Sequence, residues 1–214
     1  MMATTHALGA LALVAPLAAV APELAVVVAV AAIVGGLFPD LDLYAGHRRT
    51  LHFPVYYWLL AVPAAAVAWI VPVPETVAVA VFLFAAALHS AMDAFGGGLE
   101  LKPWLETSDR AVYSHYHGRW IEPRRWVRYD GAPEDLVLAV ALAVPSLAVF
   151  DGVVRSVVLG LLAISAGYAL VRKPLVAVAE WILVCVPDPV LDRLPERLLP
   201  IEASDLERID DDSR

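Results

Sequence analysis

Apolar runs interrupted by proline, glycine and charge divide the chain into candidate helices at about 7–20, 24–38, 55–71, 75–93, 135–150 and 153–171, with a shorter seventh at 174–186. Several fall below the ~20 residues that cross a bilayer comfortably. Pro16, Pro22 and Glu23 fall in or between the first two runs, which read either as two crossings or as a re-entrant hairpin. Both arrangements return the chain to its starting side, whereas one long tilted helix would not. The pattern predicts an all-α, multi-pass helical membrane protein of six or seven short helices. A single embedded domain is expected over 1–187, followed by an acidic, partly disordered tail at 188–214.

Composition strengthens the membrane reading. Hydrophobic residues make up 60% and charged residues only 18% of the chain, and the mean hydropathy is +0.70, outside the range of ordinary soluble domains. No Lys or Arg precedes Arg48, so the first apolar run lacks the basic flank of a signal peptide and is expected to be retained, together with His6. The net charge of -8 comes largely from residues 188–214, where nine acidic residues face four arginines. Cys185 stands alone, which excludes a disulfide framework and a thiolate zinc site.

Positive charge gives an orientation. Arg48 and Arg49 follow the second run, six Lys or Arg follow the fourth, and Arg172 and Lys173 follow the sixth, while the turns at 21–23 and 72–74 have none. Arg155 is the exception and can snorkel outward. Basic residues accumulate in cytoplasmic loops, so the amino terminus and these loops are expected to face the cytoplasm across the cell's inner or plasma membrane. This parity puts seven candidate metal ligands on one face: His6, Asp40, Asp42, His47, His52, His89 and Asp93.

Each motif also has a plainer explanation. His89 and Asp93 lie four residues apart on one helix face, a spacing for two ligands of one ion, or for a helix-end histidine beside an aspartate that caps the Gly96-Gly97-Gly98 turn. In Pro39-Asp40-Leu41-Asp42, proline is expected to stop the helix and an extended segment to point both carboxylates in a similar direction; Asp42 alone could instead cap a turn. The loop His47-Arg48-Arg49-Thr50-Leu51-His52 combines imidazoles with guanidiniums that can hold an anion, although basic residues at a membrane boundary also follow from topology.

Together these pieces resemble the YdjM-type inner-membrane metal-dependent hydrolases. The resemblance rests on Thr5-His6, Pro39-Asp40-Leu41-Asp42, His47 to His52, and His89 through Asp93, in that order over roughly residues 1–105. Arg49, Leu51 and Phe53 stand where that family usually has Gly, Thr and Ser, so the ligand positions match the family while the substrate-facing side of the loop departs from it. The resemblance further implies a distant relation to the helical zinc-dependent phospholipase C and nuclease fold.

The expected function is a membrane-bound metal-dependent hydrolase acting on a phosphoester or lipid-like small molecule. Its cofactor would be a divalent metal, zinc foremost, as one or more ions, with Arg48 and Asp42 as candidates for direct catalytic roles. The competing reading is a non-enzymatic scaffold stabilised by the same ligands, or a divalent-ion carrier. The expected partners are the lipid bilayer and the substrate. Nucleic acid finds no support, because the aromatic loop at 94–134 has six acidic residues against six basic ones. His115 and His117 in that loop are either additional ligands or general acids, or simply exposed loop histidines.

Overall fold

Alanine and glycine, rather than large aliphatic side chains, set the spacing of the helices in this protein. A computed structural model describes residues 1–185, and the tail expected at 188–214 lies outside them. The helices are α1 (Ala3–Val20), α2 (Ala25–Leu37), α3 (Tyr56–Ile70), α4 (Pro74–Met92), α5 (Pro133–Val149) and α6 (Gly152–Cys185). α1 is central and packs against α2, α4, α5 and α6, while α3 packs on the far side of α4. The interior is lined by residues such as Ala7, Ala10, Ala15, Ala32, Ala85 and Ala139, all at most 1% exposed. Small residues let helix backbones approach closely where burying large side chains from water is not the driving force.

The closest approach is at the end of α2. A Cβ added to Gly35 would sit 2.4 Å from the Phe82 carbonyl oxygen of α4, and one on Gly36 would sit 3.2 Å from the His6 carbonyl oxygen of α1. The glycine pair therefore lets α1 and α4 close on the same turn of α2. That turn is where the candidate ligands gather.

α1 and α2 form a helical hairpin, joined through Ala21 and a 3-10 turn at Pro22–Leu24. The chain thus reverses between His6 and Asp40, and a single long tilted helix does not form. The start of α1 is fixed from α5: the buried Asp135 carboxylate accepts hydrogen bonds from the Met2 backbone N–H and the Thr5 hydroxyl, both at 2.7 Å, and from the Gly131 N–H at 3.0 Å. Asp135 supplies from another helix the cap that α1 lacks in its own sequence.

Two expectations about the elements are corrected. The sixth and seventh apolar runs are one 34-residue helix that passes through Pro174. A proline inside a helix removes one hydrogen bond but does not end it when contacts hold both flanks. Here Arg172 Nε donates to Asp130 Oδ2 at 2.8 Å on one side of Pro174, and Glu180 pairs with Lys102 at 2.6 Å on the other. The fold is also not purely α-helical: Val112–Ser114 (β1) pairs antiparallel with Arg119–Ile121 (β2), with Tyr113 opposite Trp120. Strands of three residues are too short to leave a periodic signature.

Four segments, Ala3–Val20, Pro22–Asp42, Pro74–Phe95 and Gly152–Ile182, are long and apolar enough to cross a membrane; α3 is apolar but shorter. Gly35→Ala is expected to destabilise the protein by about 1–3 kcal/mol through overpacking. Gly160→Ala, where an added Cβ meets nothing within 4 Å, should be neutral or slightly stabilising. Unfolding of both variants in detergent micelles checks this, and equal losses would contradict the packing described.

Candidate metal centre

Four side chains converge where α1 begins and α2 and α4 end. Asp40 comes from the 3-10 turn Phe38–Asp42 that continues α2, His52 from the loop before α3, and His89 and Asp93 from the end of α4. One ligand atom from each lies within 4.8 Å of the others. His52 Nε2 is 3.1 Å from both His89 Nε2 and Asp93 Oδ2, His89 Nε2 is 3.4 Å from Asp93 Oδ2 and Asp40 Oδ1, and His52 Nε2 is 3.9 Å from Asp40 Oδ1. The edges of a zinc tetrahedron with bonds near 2.0–2.1 Å are about 3.3 Å long. The donors thus already stand near ligand-to-ligand spacing.

Proton positions sharpen the argument. His89 Nδ1 lies 2.6 Å from the Gly36 carbonyl oxygen, which can only accept, so this ring carries its proton on Nδ1. His52 Nδ1 lies 3.0 Å from Asp42 Oδ2 and donates to that carboxylate. In the neutral rings both Nε2 atoms are therefore lone pairs, facing each other and two carboxylate oxygens. Such a set is repulsive unless a cation sits among it. Burial alone would lower the His52 pKa, but its hydrogen bonds to Asp42 and Asp93 outweigh burial and raise it. The surroundings of this ring favour positive charge.

Around these four lies a second layer of the expected residues. The His6 ring stacks on His89 at a centroid separation of 3.8 Å, and its Nε2 is 3.2 Å from Asp93 Oδ1, the oxygen turned away from the cluster. Neither His6 nitrogen has an aligned hydrogen bond, so the His6–Asp93 approach is an electrostatic contact. Arg48 Nη2 lies 3.6 Å from the same oxygen, while Nη1 donates to the carbonyls of Gly97 at 2.8 Å and Ala111 at 3.3 Å.

Asp42 points elsewhere. Its Oδ1 accepts from the Arg48 N–H at 3.3 Å and lies 3.1 Å from His47 Nδ1; its Oδ2 accepts from the N–H groups of Arg49 at 3.3 Å and Leu51 at 3.0 Å, and from His52. Sequence reasoning placed Asp40 and Asp42 on an extended segment with a common direction. Pro39 instead tightens the end of α2 into a 3-10 turn. At three residues per turn, positions two apart lie about 120° apart around the axis, so Asp40 faces the cluster and Asp42 the loop. Asp42 therefore sets the shape of residues 43–51 and the tautomer of His52, and His47 lies beside it on the outer side. Arg48 meets its part of the turn with a left-handed φ of 57°.

His115 and His117 are in the β1–β2 turn, away from the four donors. His115 Nε2 donates to the Arg49 carbonyl at 2.6 Å, and His117 Nδ1 lies 2.8 Å from the Ser114 hydroxyl. The hairpin is tied to the ligand loop again by the Tyr113 N–H, which donates to the Arg48 carbonyl at 2.9 Å.

A cleft of about 550 Å³ opens beside the cluster, lined by Asp40, His47, Arg48, Glu100, Tyr168 and Arg172 among others. Asp40 is 27% exposed at its side chain, against 0–2% for His52, His89 and Asp93, so the cluster meets the cleft on its Asp40 side. Glu100, Asp130 and Tyr168 escaped the sequence reading, and Arg172 entered it only as a charge that orients the chain. The only signal was the i,i+4 pair Tyr168 and Arg172 in an apolar helix, both of which bond the Asp130 carboxylate.

Comparison with protein families, with characterised proteins and with solved structures finds no match to this chain.

Asp42→Ala should leave the helices intact and loosen residues 43–51, at a cost of order 3 kcal/mol given several bonds to one buried carboxylate. Amide hydrogen exchange at Arg48, Arg49 and Leu51 is expected to accelerate. Unchanged protection there would show that Asp42 does not organise the loop.

Proposed function

We propose that this protein is a multi-pass membrane protein carrying a divalent-metal centre that hydrolyses a phosphoester or lipid-like substrate at the membrane surface. The observation that carries the reading is the approach of His52 Nε2 and His89 Nε2 to 3.1 Å, with Asp93 and Asp40 oxygens beside them. The donor set is nitrogen and oxygen only, which suits zinc and related divalent ions. The resemblance to the YdjM-type hydrolases supports the same reading.

Asp40, His52, His89 and Asp93 would hold the ion. Asp42 and the Gly36 carbonyl fix the two imidazole tautomers, the role that second partners of ligating histidines serve. The ammonium of Met1, at 3.5 Å, and Arg48 balance the outer oxygen of Asp93, with the His6 ring packed beside it. When bound, a divalent ion polarises an ester and acidifies water enough to yield a nucleophile near neutral pH. Catalysis over a closed scaffold requires an open coordination position, and Asp40, the one donor exposed toward the cleft and the farthest from His52 at 3.9 Å, is the ligand that would yield it to water while His52, His89 and Asp93 hold the ion. Arg48 borders the same cleft with its guanidinium held by Asp93 and by the Gly97 and Ala111 carbonyls, and its charge would offset negative charge that develops at the centre.

Membrane embedding is supported by the distribution of side-chain size: alanine makes up half of the main buried cluster, while Val30, Leu60, Val67, Trp69, Val144 and Leu170 point outward, each at least half exposed. Water would favour the reverse. The proposed orientation puts the amino terminus and the loops at 38–54 and 94–134 in the cytoplasm, on the Arg and Lys distribution.

The test is metal content and turnover of purified protein across a panel of phosphoesters, esters and amides. The wild type should bind metal and hydrolyse at least one phosphoester class. His89→Ala and Asp93→Asn should abolish both, Asp42→Asn should weaken metal affinity about 10–100-fold, and Arg48→Lys should lower turnover with metal retained. Stoichiometric metal in a protein inert toward the whole panel would favour the scaffold or ion carrier.

A further inference from the structure

The second half of α6 carries more apolar surface than one membrane crossing can use. α6 has 34 residues, and within its stretch Gly152–Ile182 only Val158, Ser165 and Val176 are buried. Ser165 donates to the Thr4 hydroxyl at 2.8 Å, so it stands level with the start of α1, where the candidate metal centre lies. About 20 residues of α6 continue past that level, a run of about 30 Å at the helical rise.

This continuation has two unlike sides. The inner side is tied to the protein by Arg172 to Asp130, by Glu180 to Lys102, and by Val176, which is 3% exposed. Lys173 lies over the rings of Trp104 at 5.2 Å and Tyr129 at 5.5 Å. The outer side presents Leu170, Val171, Leu175, Val178, Trp181 and Ile182, between 44% and 80% exposed. At 100° per residue these positions form one stripe. The stripe continues, without a charged residue, the outward apolar face that begins with Val153 and Val157.

The 31-residue span Gly152–Ile182, charged only at Arg155, Arg172, Lys173 and Glu180, is about 46 Å long against a hydrocarbon core of ~30 Å. Containing all of it would need a tilt of roughly 50°, beyond the usual 0–40° range. The surplus must lie along the boundary. We propose that α6 beyond Arg172 is a lipid-contacting segment whose outer stripe rests in the bilayer interface. It holds the Tyr168 and Arg172 wall of the cleft against the headgroups. The occupant is lipid, because the stripe is continuous with the face that the membrane reading already assigns to lipid, and the inference rests on that reading. A consequence is that the cleft beside Asp40 opens at headgroup depth, where an amphipathic substrate is already concentrated.

Spin labels on full-length protein in phosphatidylethanolamine and phosphatidylglycerol liposomes test this. Labels would be placed singly, in a Cys185→Ser background, by Leu175→Cys, Val178→Cys and Ile182→Cys, with Val67→Cys on α3 as the embedded reference and Asp109→Cys as the aqueous one. Collision with oxygen relative to a water-soluble nickel chelate should be several-fold higher at 175, 178 and 182 than at 109, and should approach the value at 67. Ratios at the level of 109, with 67 still high, would overturn this inference alone. A low ratio at 67 as well would overturn the membrane reading and this inference with it. Spin-spin broadening between copies at 178 or 182 would assign the stripe to a second copy of the chain and overturn the lipid assignment.

Discussion

Two imidazole nitrogens face each other across 3.1 Å, each ring bonded through its other nitrogen to a fixed oxygen, and much of the surrounding architecture serves to hold them there. The Gly36 carbonyl fixes one ring and Asp42 the other. Asp93 and Asp40 add negative charge to a point that is already rich in electron pairs. A folded protein sustains such a concentration when a cation resolves it, as an imidazolium proton or as a metal. Five of the six donor pairs stand 3.1–3.9 Å apart, and the proposed metal rests on that spacing.

Bringing those rings together depends on helix backbones that nearly touch. Gly35 and Gly36 allow α4 and α1 to meet at one turn of α2, and Asp135 pins the start of α1, so that His6 stacks on His89. Side chains larger than hydrogen at the glycines would separate the elements that carry the donors. The packing that gives an alanine-rich interior and the geometry of the centre are therefore one constraint. The long apolar face of α6 then bears on where the cleft opens.

Much of the centre was legible in the sequence because helix ends punctuated by His and Asp stand out against apolar runs. His89 and Asp93 share a face as their spacing requires, and the helical hairpin returns the chain so that His6 and Asp40 meet the same end. The division of labour was not legible. Asp40 and Asp42 look equivalent in Pro-Asp-Leu-Asp, and only the 3-10 turn separates a cluster residue from a loop organiser. Asp135 gave a weak signal, one of two carboxylates in the first turn of an apolar helix, and its partners at the start of α1 lie 130 or more residues away. Pro174 was read as a break because local propensity carries no record of the ion pairs that hold its flanks. The hairpin was missed because three-residue strands show no alternation.

The most direct test is X-ray absorption at the zinc edge of zinc-loaded, purified protein, read together with the metal-to-chain ratio. At least one ion per chain is expected, with a first shell of nitrogen and oxygen at about 2.0–2.1 Å, imidazole scattering from two histidines and no sulfur. Failure to retain zinc at saturating concentration, or a shell without histidine scattering, would contradict the account.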